Sequence, residues 1–94
     1  MDKKIDNNLD EIYEVRVGYL KSNKQFNKQM TAYVLSKNQA RIAVKTLKGF
    51  AEEYPDLYKD LQFDYIKASE VPKGIEISAS GKKVAEDFDY AISF

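Results

Sequence analysis

The sequence lacks three side chains on which many active sites depend. Its 94 residues contain no cysteine, no histidine and no tryptophan. Without cysteine and histidine, the chain cannot supply a disulfide, a thiolate nucleophile, an imidazole base or the usual zinc ligands. A Ser-His-Asp triad is excluded for the same reason. We therefore expect a protein that is not an enzyme and that has no catalytic residue, no metal site and no cofactor.

Long apolar runs and secretion signals are also missing. No apolar stretch approaches the ~18 residues that span a bilayer. The segment from Met1 to Asn8 is mostly polar or charged, unlike the apolar region of a signal peptide. We expect a cytoplasmic protein that does not associate with membranes, and the absence of cysteine is compatible with that compartment.

The length of the chain limits its organisation. A sequence of 94 residues has room for one domain with one hydrophobic core. Residues 1 to 10 contain few apolar side chains and are predicted to form a flexible N-terminal arm. Residues 11 to 94 are predicted to form a single α+β domain, and no internal repeat divides them.

Two stretches near the start alternate apolar and polar side chains. In the first, the apolar positions are Tyr13, Val15, Val17 and Tyr19; in the second, they are Met30, Ala32 and Val34. A period of two in β-branched and aromatic residues is typical of half-buried strands. The polar residues 21 to 24 between them predict a turn. The pattern therefore indicates a β-hairpin with one buried face, and it places Tyr33 on the solvent face.

A helix should follow the hairpin. Ser36 and Gln39 have the spacing of a capping box, in which both side chains bond to free backbone N–H groups at a helix start. The apolar residues that follow recur every three or four positions: Ala40, Ala43, Val44, Leu47, Phe50, Ala51 and Tyr54. Pro55 predicts the end of the helix. The sequence thus predicts an amphipathic helix over residues 36 to 54, packed on one face of the sheet.

The second half of the chain is less regular. A third strand is predicted around residues 63 to 66, and a fourth over residues 75 to 79, separated by Val71-Pro72-Lys73-Gly74. Residues 84 to 94 fit two patterns, because apolar side chains recur there both at helical spacing and at alternate positions. We favour a strand, since a helix would place Asp87 and Asp89 towards its negative end.

These elements define the predicted fold class. We expect a two-layer α+β domain with an antiparallel sheet of four or five strands, in the order β-β-α-β-β-β, with a helix as the alternative for the last element. The predicted core is Val15, Val17, Met30, Val34, Val44, Leu47, Phe50, Ile75, Ile77 and Phe88. A final strand at the sheet edge would expose unpaired backbone, so homo-oligomerisation through the C-terminal segment is also predicted.

Two local motifs contain residue types that occur in binding sites. Oxygen ligands for Mg²⁺ or Ca²⁺ are present as Glu52, Glu53, Asp56, Asp60 and Asp64. An acidic run after a basic helix is more typical of a solvated face. Ser80-Gly81-Lys82 matches the end of a phosphate-binding loop, but the first glycine of that motif and its final Ser or Thr are absent. We interpret this segment as a tight turn.

Charge is distributed unevenly along the chain. The formal net charge is zero, yet no Asp or Glu lies between Val15 and Ala51, where Lys and Arg occur eight times. On the predicted helix Lys37, Arg41, Lys45 and Lys48 are four, four and three residues apart. At ~100° per residue they form a stripe about 80° wide beside the apolar arc. We call these four residues the basic stripe.

Three interpretations of the basic stripe stay open: a solvated or internally paired face, a surface for an acidic protein partner, and a row of phosphate contacts for nucleic acid. Lys28 and Tyr33 are added as candidate binding residues, Tyr33 because an exposed ring can stack on a base. The predicted function is a small non-catalytic interaction module, of the kind of a phage or mobile-element regulator that binds a protein partner. A nucleic-acid-binding accessory protein is the alternative, although such domains are usually basic overall.

Overall fold

The structure, a computed structural model of the chain, describes residues 12–20 and 26–93. Over these residues the protein is α+β, with one sheet of four strands and two helices. In chain order the elements are β1 (Tyr13–Leu20), β2 (Phe26–Val34), α1 (Lys37–Glu53), β3 (Leu61–Lys67), β4 (Ile77–Ser78) and α2 (Gly81–Ser93). The predicted arm over residues 1 to 10 and the predicted turn over residues 21 to 24 lie outside the described residues.

The predicted hairpin is confirmed in β1 and β2, which pair in antiparallel fashion. Val15 lies opposite Ala32 and Arg16 lies opposite Thr31. The alternation has the expected effect, because the side chains that share a face with Val15 are turned towards the helices while those that share a face with Arg16 are turned away. The register shifts between Val17 and Gly18, as it does at a β-bulge.

The sheet has the strand order β3-β1-β2-β4 and is mixed. β3 pairs antiparallel to β1, but β4 pairs parallel to β2. The prediction of a wholly antiparallel sheet in sequence order is therefore wrong. The chain leaves one edge of the sheet after β3 and returns at the opposite edge, in the same direction as β2. Strand alternation alone does not encode that route.

The fourth strand is shorter than predicted. The backbone N–H of Ile75 donates to the carbonyl of Pro72 at 3.3 Å, and Gly74 has a positive φ of 84°. This turn keeps Ile75 out of the sheet, so its side chain is 46% exposed rather than part of the core. Pairing with β2 begins only at Ile77.

The helix predicted over residues 36 to 54 is confirmed as α1, with Ser36 as its N-cap and Tyr54 as its C-cap. The Ser36 side chain accepts a hydrogen bond from the backbone N–H of Gln39 at 3.2 Å. The buried side of α1 consists of Ala40, Ala43, Val44 and Leu47. The apolar period in the sequence thus fixes both the helix and its rotation about its axis.

Residues 81 to 93 form α2, so the prediction of a terminal strand is wrong. Val84, Ala85 and Phe88 are buried and pack in the same core cluster as α1. The two carboxylates that argued against a helix both have partners. Asp87 forms an ion pair with Lys83 at 3.7 Å, and Asp89 accepts a hydrogen bond from the Tyr58 hydroxyl. With no edge strand in this segment, the predicted route to homo-oligomerisation loses its basis.

The start of α2 also corrects the tight turn predicted at Ser80-Gly81-Lys82. The Ser80 hydroxyl accepts from the backbone N–H of Lys83 at 3.2 Å, and the Ser80 carbonyl accepts from that of Val84. These are the bonds of an N-cap, and Gly81 is the first residue of the helix. The segment therefore begins a helix and is not a free loop.

The core lies between the sheet and the two helices. Predicted core residues that are buried are Val15, Val17, Val34, Val44, Leu47 and Phe88, while Met30 and Phe50 pack partly buried against them. Ile77 is only half-buried. Buried cluster members that were not predicted are Ala40, Ala43, Tyr58, Val84 and Ala85. Most of these come from α2 and from the small residues that let it approach α1.

Candidate functional site

The basic stripe lies on the outer side of α1. The burial of Ala40, Ala43 and Leu47 leaves the rest of the helix surface to solvent, and at ~100° per residue the stripe lies along one edge of the buried side. All four cations of the stripe are exposed. Residues three and four apart on a helix have neighbouring side chains, with Cβ atoms about 5–6 Å from each other. The structure therefore brings Lys37, Arg41, Lys45 and Lys48 together as one row.

The cations of the basic stripe have no ion-pair partner in the part of the chain that the structure describes. Elsewhere in the described chain Arg16 pairs with Asp64, Lys28 with Glu14 and Lys83 with Asp87, whereas four exposed lysines likewise have no ion pair: Lys59, Lys67, Lys73 and Lys82. The interpretation of the stripe as an internally paired face is thus not supported by the described contacts. Its charge faces solvent and remains available to a ligand.

Lys28 belongs to a different surface. Its Nζ lies 3.1 Å from Glu14 Oε2, which also accepts from the Thr31 hydroxyl at 2.6 Å. Glu14 shares its face of the sheet with Arg16, and this face is turned away from α1. Burial raises the pKa of Glu14, but the bonds from Thr31 and Lys28 and the nearby positive charges outweigh it, so the pKa is lowered overall. Lys28 therefore acts in a local network and does not extend the basic stripe.

A second ion pair lies on the same sheet face as Glu14. The guanidinium of Arg16 donates to both carboxylate oxygens of Asp64, at 2.7 and 2.6 Å. This hydrogen bonding raises the pKa of Arg16, against a smaller opposing effect of burial. The forked geometry ties β1 to β3 and occupies Asp64. Asp64, one of the five acidic residues named as possible metal ligands, is thus engaged in a structural contact.

Tyr33 does not offer a stacking platform. It lies opposite Glu14, on the sheet face that the alternation predicted, but its side chain is only 7% exposed. The predicted face of Tyr33 is correct, but the prediction that its ring is exposed to solvent is wrong. Because base stacking requires an accessible ring face, Tyr33 in this position does not support nucleic-acid binding.

A neutral strip borders the basic stripe on α1, formed by Asn38, Ile42 and Gly49. Ile42 is 36% exposed, and with Asn38, Arg41 and Lys45 it lines a shallow depression of about 300 Å³. The spacing of charged and apolar residues did not predict this strip. A signal was present, since Ile42 is a large apolar residue that falls outside the apolar arc of the helix. We call Asn38, Ile42 and Gly49 the neutral strip.

A larger cleft, of about 410 Å³, lies where β4 meets the start of α2. Three of its polar side chains, those of Ser78, Ser80 and Lys83, make contacts within the fold. The Ser78 hydroxyl donates to the Ser80 carbonyl at 3.1 Å, and Lys83 pairs with Asp87. This cleft therefore holds capping and turn contacts, whereas α1 carries four exposed cations in one row.

Among the described residues, no group of three or more acidic side chains is placed to hold a metal ion. Neither helix in the described ranges has the length and apolar character of a membrane-spanning segment. Comparison of the chain with protein-family models, with curated proteins and with solved structures finds no match.

Proposed function

We propose that this protein is a non-catalytic interaction module that binds an acidic surface of a protein partner through the outer side of α1. The observation that carries the proposal is the row of four exposed cations without ion pairs in the described chain, next to the exposed side chain of Ile42. Such a row steers an acidic partner towards one face of the molecule.

The mixture of charge and apolar surface favours a protein partner over nucleic acid. Protein interfaces combine a buried apolar centre with a polar or charged rim. Ile42 can supply the apolar contact, and Arg41 and Lys45 border it in the same depression. A phosphate backbone offers no apolar counterpart to Ile42.

The two residues that supported nucleic acid lie elsewhere. Tyr33 is buried, and Lys28 is bonded to Glu14 on the sheet face turned away from α1. The alternative of a nucleic-acid-binding accessory protein then rests on the spacing of the basic stripe alone. The prediction of a role in a phage or mobile element is independent of these contacts and stays a prediction.

Charge reversal on α1 tests the proposal. Arg41→Glu combined with Lys45→Glu should leave the fold intact, because both side chains are exposed. The tagged wild-type protein should capture a partner from an extract of the source cells, and the double variant should capture at least ten-fold less. The matched control is Lys59→Glu with Lys73→Glu, an equal charge change at exposed positions outside α1. Equal capture by both double variants would overturn the proposal.

Titration with labelled DNA and RNA separates the alternative. If the four cations neutralise duplex phosphates, log affinity should fall linearly with log salt concentration, with a slope of about −3.6. A protein partner depends on salt less steeply and mainly through its association rate. We expect no binding of single- or double-stranded nucleic acid below about 100 μM at low salt, where even non-specific binders associate. Tighter binding that is lost on reversal of Arg41 and Lys45 would favour the alternative.

A further inference from the structure

We infer that the partner segment bound by α1 is itself an α-helix, with an aliphatic side chain seated over Ile42 and a row of Asp or Glu beside it. This inference rests on the function proposed above and adds the structural class of the partner. Three observations on α1 support it: the spacing of the residues that line the depression, the position of Gly49 and the one-sided placement of the charges.

The residues that line the depression around Ile42 have the spacing of those around a helix-packing hole. Its lining residues are Asn38, Arg41, Ile42 and Lys45. These are positions i, i+3, i+4 and i+7, the four that surround a hole on one helix into which a side chain of a facing helix inserts. A depression of about 300 Å³ is large enough for one aliphatic side chain. In an extended peptide every second side chain points to the same face, and this spacing does not match the arrangement of the four residues around the hole.

Gly49 supplies the second observation. Glycine inside a helix costs about 0.5–1 kcal/mol relative to alanine, so its presence calls for a reason. The fold gives none, because Gly49 does not have a positive φ and a Cβ built on it meets no atom within 4 Å. Gly49 follows Ile42 by seven residues, which places both on one side of α1. The missing side chain leaves a low point where the backbone of a second helix can come close.

The charges supply the third observation. At ~100° per residue, Arg41, Lys45 and Lys48 all lie on the same side of the neutral strip. A helix laid along this strip would meet cations along one flank, as far as the last turn of α1, where Glu52 follows Lys48 by four residues. Its matching residues are therefore carboxylates at spacings of three and four, next to its aliphatic contact residue. From Asn38 to Gly49 the surface is about 16 Å long, or roughly three helical turns.

Two displayed peptide libraries test the inference. One presents a three-turn helix on a rigid helical-hairpin scaffold, with the outward positions randomised. The other presents unstructured peptides of the same randomised composition. Selection on the wild-type protein should enrich the helical library for an aliphatic residue flanked by Asp or Glu at three- and four-residue spacing. Enrichment of the unstructured library alone would overturn the inference.

Variants of the neutral strip give the decisive measurement on the selected helices. Ile42→Gln, which removes the apolar contact without changing the charge, should weaken binding at least ten-fold. Gly49→Ala should raise the thermal midpoint of unfolding and still weaken binding at least five-fold, a combination that loss of structure cannot produce. Lys82→Ala, at an exposed position of α2, is the control and should change neither quantity.

The two levels of the proposal fail in different ways. If selected peptides depend on Arg41 and Lys45 but tolerate both Ile42→Gln and Gly49→Ala, the partner is acidic without being a helix packed on the strip, and only this inference falls. If neither library yields a peptide that depends on Arg41 and Lys45, the proposed function falls and the inference falls with it.

Discussion

The backbone N–H of Gly81 donates a hydrogen bond of 2.8 Å to the side-chain oxygen of Gln39. Gln39 thus does not complete the reciprocal half of its own capping box. Its side-chain oxygen accepts instead from the first residue of the other helix, while its backbone N–H donates to the Ser36 hydroxyl. One residue thereby joins the starts of α1 and α2, and the close approach of the two helices depends on what stands at position 81.

Gly81→Ala should destabilise the protein. A Cβ at this position would lie 2.0 Å from the carbonyl oxygen of Gln39 and 2.9 Å from the backbone nitrogen of Ala43. Both are backbone atoms of a helix, so relief requires α2 to move, and overpacking of this kind costs about 1–3 kcal/mol or more. Chemical denaturation measures the loss. The same substitution at Gly49, where nothing is met, should stabilise by about 0.5–1 kcal/mol. Equal effects at the two glycines would contradict the packing described.

Leu47→Ala should remove a central part of the core. The Leu47 side chain is fully buried, in the cluster that both helices and the sheet share. Truncation of a buried leucine costs about 2–5 kcal/mol through lost apolar contact and the cavity left behind. Urea midpoints of the two proteins give the difference. Ile42→Ala, at a solvent-facing position of the same helix, is the control and should cost less than about 1 kcal/mol. A loss below about 0.5 kcal/mol for Leu47 would mean that α1 is rotated differently.

Glu14 should make stability depend on pH in the acid range. Its folded pKa lies below the ordinary value of 4.5, so the folded state holds the proton less tightly than the unfolded state does. The resulting stabilisation is fully present above that ordinary value and is lost as the pH falls through the folded pKa. Unfolding midpoints from about pH 6 to about pH 3 should therefore fall more steeply for wild type than for Glu14→Gln. Thr31→Ala, which removes the 2.6 Å donor, should give an intermediate slope. Parallel curves for all three proteins would show that the network does not hold in solution.

Tyr58→Phe should weaken the attachment of α2. The Tyr58 side chain is buried and its hydroxyl donates to the carboxylate of Asp89. Removal of the hydroxyl leaves a half-buried carboxylate without this donor, at a cost of about 1–3 kcal/mol. The control is Tyr54→Phe, which alters an exposed ring.

The same residue should also affect alkaline stability. Burial, the bond to Asp89 and the negative charge of Asp89 raise the pKa of Tyr58 well above its ordinary value of 10.0. The folded state therefore keeps the phenol proton where the unfolded state loses it, and this stabilisation declines as the pH rises above that ordinary value. Between about pH 9 and about pH 11, wild type should lose more stability than Tyr58→Phe. An alkaline titration by tyrosinate absorbance should show one ring that ionises only on unfolding, and its absence would contradict the bond.

The parts of the fold that could be predicted are those with local signals. Alternation specified β1 and β2, and the three-and-four period specified α1 together with the exposure of the basic stripe. The prediction was wrong for the C-terminal segment because Phe88 and Ile92 fit both the helical spacing and the alternation of a strand. The helix there is stabilised by residues that are distant in sequence. Tyr58 donates a hydrogen bond to Asp89, and Gln39 in the first turn of α1 accepts one from Gly81.

The candidate site was predictable to the same degree. The three- and four-residue spacing of the basic stripe predicted that its cations form one row, without knowledge of tertiary structure. It could not show that Tyr33 is buried, because alternation assigns a residue to a face and not to solvent. Ile42 and Gly49 were visible in the sequence as exceptions, an apolar residue outside the arc and a glycine within a helix. The structure adds that Ile42 is exposed and that a Cβ on Gly49 would meet no atom within 4 Å, and the role proposed for them rests on these two observations.

The ion pair between Arg16 and Asp64 also has a consequence for the order of folding. Its two residues are 48 positions apart in the chain, and the whole β1–β3 ladder has comparably distant partners. Closing so long a loop costs entropy before any contact repays it, whereas the β1–β2 hairpin and α1 close over short distances. The hairpin and α1 should therefore condense first, and β3 should dock late. Substitutions at Asp64 would then speed unfolding while leaving the rate of folding nearly unchanged.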